Sequence, residues 1–188
     1  MRIAISGPPG SGKTTVCTLV AKAMDYESLL VGQVFRQMAL ERMVSLETFG
    51  RLAEEDETID RELDKRMITI AGSKKDIVLE GRLTGALLKA RNIHVFSVYV
   101  DASEEIRAKR IAGREQKPVE LVIQEIRKRE RSEKKRYLAY YGIDMSNRSI
   151  YDLWIDAGDK TAEEIAGIVV AEARKRHAED ARQVETAE

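Results

Sequence analysis

One cysteine occurs in 188 residues, so neither an intrachain disulfide nor a cysteine-based zinc site can form. That residue, Cys17, falls on the apolar part of a predicted helix, a core position. The two histidines are placed as boundary or surface residues: His94 starts a predicted strand and His177 sits in a polar terminal helix. Neither sign of charge is in excess, with Lys plus Arg at 32 and Asp plus Glu at 32. A nucleic-acid binder shows a basic surplus. Aromatic residues make up only 5% and form no stacking platform, which argues against an ATPase acting on RNA. No apolar run approaches the ~18 residues of a membrane span. A glycine-rich stretch begins at Gly7, where the apolar segment of a signal peptide would have to lie. A cytoplasmic protein is expected, with no membrane and no nucleic-acid partner. Internal repeats and low-complexity linkers are also missing. At 43% hydrophobic residues the chain can bury the core of one domain.

What is present is concentrated near the start. Gly7-Pro8-Pro9-Gly10-Ser11-Gly12-Lys13-Thr14 fits the phosphate-loop pattern G-x-x-x-x-G-K-[ST] at every specified position. Residues 2–6 before it are a short apolar run, read as a buried strand. After it, Val16, Leu19, Val20 and Ala23 share one helical face. Glycines let the backbone curl its N–H groups around an anion, and the helix aims its positive end there. Lys13 can reach β- and γ-phosphates, and the Thr14 hydroxyl can ligate Mg²⁺.

The remaining chain alternates strands with helices. Residues 26–31, 76–80, 93–100 and 151–156 read as strands, 93–100 almost continuously apolar, as in parallel sheets covered on both faces. Between the second and third lies an all-helical stretch, 32–73. Ser45 caps a short helix there with Leu46, Phe49 and Leu52 inward, and 53–66 continues as acid-rich helix with Ile59, Leu63, Met67 and Ile70 buried. Asp101 to Glu104 and Thr161 to Glu164 have capping-box spacing. Gly113 interrupts the helix opened at Asp101, and Pro118 fits the first turn of a long helix to about Tyr140. The tail from about Ala178 is polar and expected to fray. The order predicts an α/β domain with a mainly parallel five-stranded sheet and its ligands at the strands' carboxyl ends.

A phosphate loop alone does not separate kinases from GTPases, transporters and switches. The GTPase base-reading signature [NT]-K-x-D is missing, since Asp159-Lys160 stands in the wrong order. Arginine placement says more. On the long helix, the stripe Val119, Val122, Ile123, Ile126 continues at ~100° per residue into Arg129, Glu133, Arg136 and Tyr137. Either this face looks onto a buried anion or the helix end stands in water. Arg110 and Arg114 lie one turn apart beside Gly113, again at a phosphate or on a solvated end. Transfer between two phosphates needs such cations and the exclusion of water. Residues 107–117 therefore read as a short arginine-bearing lid. Glu80, at a strand end, is placed to hold Mg²⁺ through water or to be solvated.

These features together resemble the nucleoside monophosphate kinases, most nearly the archaeal-type cytidylate kinases. Gly32-Gln33-Val34-Phe35-Arg36, Leu79-Glu80-Gly81-Arg82, Arg129-Glu130-x-x-Glu133-x-x-Arg136-Tyr137 and 151–156 carry the likeness, from Met1 to about Val170. The resemblance implies a three-layer P-loop fold over 1–177 with 32–73 as the monophosphate-binding insert, 107–117 as lid and 178–188 as tail. It implies that residues 7–15, from Gly7 through Thr15, hold ATP. Arg36 and Arg82 would grip the acceptor phosphate; Arg110, Arg114, Arg129 and Arg136 would reach the phosphates on closure; the loop 157–160 would pass near adenine. A monomer acting on CMP or dCMP with ATP and Mg²⁺ is expected. Glu80 stands where related kinases often have Asp, and Arg131 where an acid is expected.

Base choice is not fixed by spacing. Glu54, Glu55, Asp56, Asp60 and Arg61 could set an acceptor beside a donor, as cytosine requires, with Asp60 and Arg61 the preferred pair. They could equally be a solvated helix face. Two other functions stay open: the same chemistry on AMP, and a nucleotide-binding switch that phosphorylates nothing. A switch needs no second phosphate site, so the inward arginines weigh against it.

Overall fold

The computed structural model describes residues 1–185. Five strands, β1 (Arg2–Ser6), β2 (Glu27–Leu30), β3 (Ile77–Glu80), β4 (Phe96–Asp101) and β5 (Leu153–Asp156), form one sheet in the order β2-β3-β1-β4-β5. Every pairing is parallel, with Ile5 opposite both Glu80 and Val98. Among the described residues are eight α-helices, α1 (Lys13–Met24), α2 (Val31–Glu41), α3 (Leu46–Glu55), α4 (Glu57–Ser73), α5 (Thr84–Ala90), α6 (Glu104–Glu115), α7 (Val119–Tyr141) and α8 (Ala162–Glu185), and one 3-10 turn at Arg148–Ile150. No described helix is long and apolar enough to cross a membrane.

Alternation along the strands sorts side chains to two covered faces. Ile3, Ile5, Val98, Val100 and Ile155 pack with Val16 and Val20 of α1 and Ile165 and Val169 of α8. Ala4, Ile77 and Leu79 face the other way, onto Leu87 and Leu88 of α5 and Met67 of α4. The insert has its own small core of Met38, Phe49, Ala53 and Ile59. A fourth cluster, Ala108, Ile111, Val122 and Ile126, joins α6 to α7. Ser6, Glu80, Asp101 and Asp156 thus end their strands on one edge of the sheet, and the phosphate loop leaves β1 there.

Local capping follows sequence chemistry in several places. Ser45 accepts from the Thr48 N–H at 3.1 Å. Thr161 and Glu164 exchange bonds reciprocally, at 2.7 and 3.1 Å. Elsewhere the structure corrects the reading. Ser103, not Asp101, caps α6; Asp101 is the last residue of β4. Gly113 does not interrupt α6, which stops at Gln116 in a left-handed conformation. Pro118 stands at the N-cap of α7 rather than inside its first turn. The stretch 53–66 is not one helix: Asp56 is extended, ends α3, and caps α4 by accepting from Thr58 N–H at 2.9 Å. In α3, Phe49 and Ala53 turn inward, while Leu46 and Leu52 stay 46% and 38% exposed.

Strand β4 begins at Phe96 rather than at 93. Phe96 pairs with Ile3, which sets Val95 and His94 beside Arg2 and Met1, and Ile93 gives its N–H to the Leu88 carbonyl of α5 at 3.0 Å rather than to the sheet. β5 begins at Leu153; Asp152 just before it is tied to Ser97 by backbone and side chain, donating its N–H to the Ser97 carbonyl at 2.8 Å and accepting from the Ser97 N–H at 2.8 Å and the Ser97 hydroxyl at 2.7 Å. The helix expected to fray from Ala178 continues to Glu185; residues 186–188 of that tail lie outside the described residues.

Candidate active site

The loop between β1 and α1 needs glycine where it turns. Gly10 has φ of +79°, and a Cβ there would sit 2.7 Å from the Arg107 carbonyl oxygen, so any side chain would push α6 off the loop. Gly12, at φ +92°, is the left-handed residue from which α1 starts. The Ser11 hydroxyl is buried with no partner among the described residues. A buried unpartnered hydroxyl in a ring of backbone N–H groups suits an anion.

Lys13 lies under this loop with its side chain 11% exposed. Its Nζ donates to the Pro8 carbonyl at 3.2 Å and stands 3.5 Å from Glu80 Oε1. Burial, with Arg82 adding repulsion, pulls its pKa down to about 7. A phosphate chain would restore the charge. Glu80 ends β3 and is buried. Thr14 and Thr15 are exposed at the start of α1. The Thr14 hydroxyl makes no hydrogen bond to another described residue. No group of three or more His, Cys, Asp or Glu among the described residues could hold a metal alone. One hydroxyl and one carboxylate, completed by water and phosphate oxygens, is how Mg²⁺ is usually held.

The arginines divide into placed and unplaced. Arg82 NH1 donates to the Gly7 carbonyl at 2.9 Å. Its Nε lies 2.8 Å from Glu133 Oε2, an ion-pair distance without hydrogen-bond alignment. Glu133 also accepts from Arg129 Nε at 2.8 Å. Burial pushes the Glu133 carboxyl up, but Arg82 and Arg129 outweigh it and hold it below the usual range. Arg136 donates to both carboxylate oxygens of Asp60, at 3.2 and 3.0 Å. The α7 face predicted from periodicity therefore exists: Glu133 and Arg136 point in, and Arg127 and Arg131 point out. Arg129 is the qualification, since its side chain is 63% exposed beyond its bond to Glu133.

Arg110 is placed too, donating to the Ser11 carbonyl at 3.3 Å and the Ala157 carbonyl at 2.8 Å. It ties the phosphate loop to the 157–160 loop. Arg36 and Arg114 are not brought to this cluster. Arg36 is exposed on α2 and makes no bond to another described residue; Arg114, 69% exposed, pairs with its neighbour Glu115. Asp60 and Arg61 part company: Asp60 is buried against Arg136, while Arg61 is exposed and pairs with Glu57 at 3.3 Å. Glu54 accepts from the Ser132 hydroxyl at 2.6 Å.

Sequence reasoning missed the acids and hydroxyls that lock the insert to α7. Asp64, one turn past Asp60, is buried and accepts from the Tyr141 hydroxyl. Asp60, Asp64, Met67 and Ala71 are the buried face of α4. The signal was a spacing of four, three and four residues that mixes acids with apolar residues. Burial pushes the Asp64 pKa up to about 6, against the Tyr141 bond, with Asp60 adding to the rise.

A raised carboxyl pKa contributes stability below its ordinary value, lost as pH climbs through about 6. Asp64→Asn should therefore stabilise the protein by roughly 1–2 kcal/mol at pH 8, since Tyr141 keeps an acceptor, and have little effect at pH 4. Urea unfolding at the two pH values tests this; an equal effect at both would show that Asp64 stays charged at no cost.

A 480 Å³ cavity lined by Met1, Lys89, His94 and Arg176 lies at the strands' N-terminal ends, opposite the phosphate loop. It shares no residue with the cluster above.

Comparison with known proteins follows the same outline. A family model described as the cytidylate kinase-like family matches residues 2–159. A cytidylate kinase of Archaeoglobus fulgidus is 42% identical over 170 residues, covering 90% of this chain and 93% of its own length. One from Sulfurisphaera tokodaii is 42% identical over 171 residues, covering 91% and 94%. Among solved structures, a shikimate kinase from Acinetobacter baumannii in complex with shikimate superposes with a TM-score of 0.61 at 20% identity, covering 93% of each chain. That likeness speaks for the fold.

Proposed function

The chain belongs to the cytidylate kinase-like family, and from that premise we propose that it moves the γ-phosphoryl group of ATP to CMP or dCMP, giving ADP and CDP or dCDP. The observation that carries the reading is two groups of charge at one phosphate loop: Lys13 with Glu80 beneath it, and Arg82, bonded to the Gly7 carbonyl, with Glu133 and Arg129. The second group reaches from the loop to the inward face of α7. A site that only bound and released one nucleotide has no use for a second set of cations beyond the first.

Residues 7–15 hold the ATP phosphates, with Lys13 on the β- and γ-groups. Arg82, joined by Arg36 as the insert closes, takes the acceptor phosphate. Arg129 and Arg136 then complete the positive surround of the migrating group, where charge spreads over its oxygens. Arg110 and Arg114 of the lid segment 107–117 close over ATP and exclude water. Thr14 and Glu80 would hold Mg²⁺, whose charge neutralises the β- and γ-oxygens. The insert 32–73 receives the monophosphate, with Asp60 facing the base. Arg61, exposed and paired with Glu57, joins it only if α4 shifts. We read the protein as a cytoplasmic monomer.

An ADP-release assay over CMP, dCMP, UMP, AMP and GMP checks the acceptor. CMP and dCMP should exceed AMP in kcat/KM by about 10²-fold or more, as expected when buried polar groups read a base. AMP as best acceptor would make this an adenylate kinase. Tight ATP binding with no acceptor turned over would make it a switch.

A further inference from the structure

Four carbonyls of the phosphate loop are each held by a cation. Arg82 binds that of Gly7, Lys13 that of Pro8, Arg107 that of Pro9 and Arg110 that of Ser11, at 2.9, 3.2, 3.2 and 3.3 Å. Three of these cations have a place in the phosphoryl-transfer site. Arg107 has none, yet it is the most buried, at 6% exposure. Its Nε donates to the Ala102 carbonyl at 2.9 Å, just past the end of β4, and its NH1 donates also to Glu130 Oε1 at 2.6 Å. One guanidinium thus joins strand end, phosphate loop and α7.

We propose that Arg107 is a positioning residue for the ATP phosphates: with Glu130 it fixes the Pro9–Gly10 peptide so that the Gly10 N–H faces the bound anion. The inference rests on the ATP site proposed above.

Pro8 and Pro9 carry no N–H, so after Gly7 the first backbone donor in the loop is that of Gly10. A trans peptide is planar, with C=O and N–H opposed; holding the Pro9 carbonyl toward Arg107 turns the Gly10 N–H to the other side. Nothing local prevents that peptide from flipping, because glycine accepts φ of either sign. The α6 backbone adds a wall, since a Cβ on Gly10 would also lie 3.0 Å from Arg107 Cβ.

Arg107 therefore does not travel with the lid. It is the fixed end of segment 107–117, and a lid closing from it starts at about Arg110. Glu130 is the neighbour of Arg129, so the ion pair also ties the loop to the helix that carries the transfer arginines. Lysine cannot replace this fork, because a single ammonium does not reproduce the guanidinium's planar array of donors.

ADP binding measured by calorimetry, beside KM values for ATP and CMP, tests the assignment. In Arg107→Gln and Arg107→Lys, ADP should bind about 10- to 100-fold more weakly, the range for losing a charge-assisted bond. KM for ATP should rise in step and KM for CMP should stay within about 2-fold. Glu130→Ala, which leaves Arg107 its two carbonyl bonds, should shift ADP the same way by about 3- to 10-fold. It carries the test if the Arg107 variants do not fold.

A merely structural Arg107 would lower the melting temperature and weaken both substrates alike, and that result overturns the proposal. So does a folded Arg107 variant, or a Glu130→Ala protein, that binds ADP like wild type. If wild type itself does not bind ADP, the ATP-site reading fails first and the inference goes with it.

Discussion

Lys13→Ala should fold, melt close to wild type, and lose about 10³-fold or more in kcat. The two halves of that expectation have different sources. The catalytic half comes from position: Nζ lies inside the loop, within bonding reach of its backbone and beside Glu80. A preorganised cation there meets charge that develops on the transferring group, and removing one such donor costs about 10²–10³ on its own. Losing the residue that also orients the β- and γ-phosphates adds to this. The stability half comes from burial. A pKa pulled down to about 7 means that the folded protein holds this ammonium at a cost. Truncation removes that cost but also leaves the buried Glu80 carboxylate without its ion-pair partner, a loss of opposite sign that offsets the gain. Circular dichroism melting and single-turnover assays at saturating ATP and CMP measure both. Near-normal turnover in the purified variant would sink the phosphate-loop assignment.

Much of this was legible in the sequence because the fold signals are local. Strand, glycine-rich turn and helix at 2–24 follow from residue type and spacing. So do the reciprocal Thr161–Glu164 box and the Ser45 cap. Errors arose where a neighbour decides the outcome. Residues 93–95 have strand composition, but Ile93 gives its N–H to the Leu88 carbonyl of α5, and pairing with β1 starts only at Phe96. Leu46 and Leu52 are apolar, but the insert's core is too small to cover them.

The site was legible only on its periodic part. The inward face of α7 could be drawn at ~100° per residue. Which acid each arginine meets could not, because Arg136–Asp60 and Arg82–Glu133 span 76 and 51 residues of chain. Asp60 and Arg61 show the limit best: adjacent in sequence, one is buried and the other faces water. Tyr141–Asp64 and Arg107–Glu130 are of the same long-range kind, and no motif announces them.

The second large effect separates the two sides of α7. Arg129→Ala and Arg136→Ala should each lose about 10²–10³ in kcat/KM, as expected for removing a cation from a developing phosphoryl charge. Arg127→Ala and Arg131→Ala should stay near wild type. Arg127 pairs with Glu104 while itself 62% exposed, and exposed pairs contribute little. Periodicity alone gives the two inward arginines the same melting temperature as wild type; the structure divides them. Arg129 is 63% exposed, and Glu133 keeps Arg82 when it goes, so its loss should barely move the melting point. Arg136 and Asp60 are 11% and 6% exposed and bonded through both carboxylate oxygens. Breaking that pair strands a buried carboxylate, a loss of about 3–5 kcal/mol where no water reaches it. Burial already pushes the Asp60 carboxyl up while Arg136 holds it down. Arg136→Ala should thus be less stable, and Asp60→Asn in the same chain should recover part of the stability but none of the activity. Measured with the best acceptor at fixed Mg²⁺, equal kinetic losses on both faces would mean that bulk positive charge carries the effect. Recovery of activity together with stability in the double variant would make Arg136 a brace between α4 and α7, with no part in phosphoryl transfer.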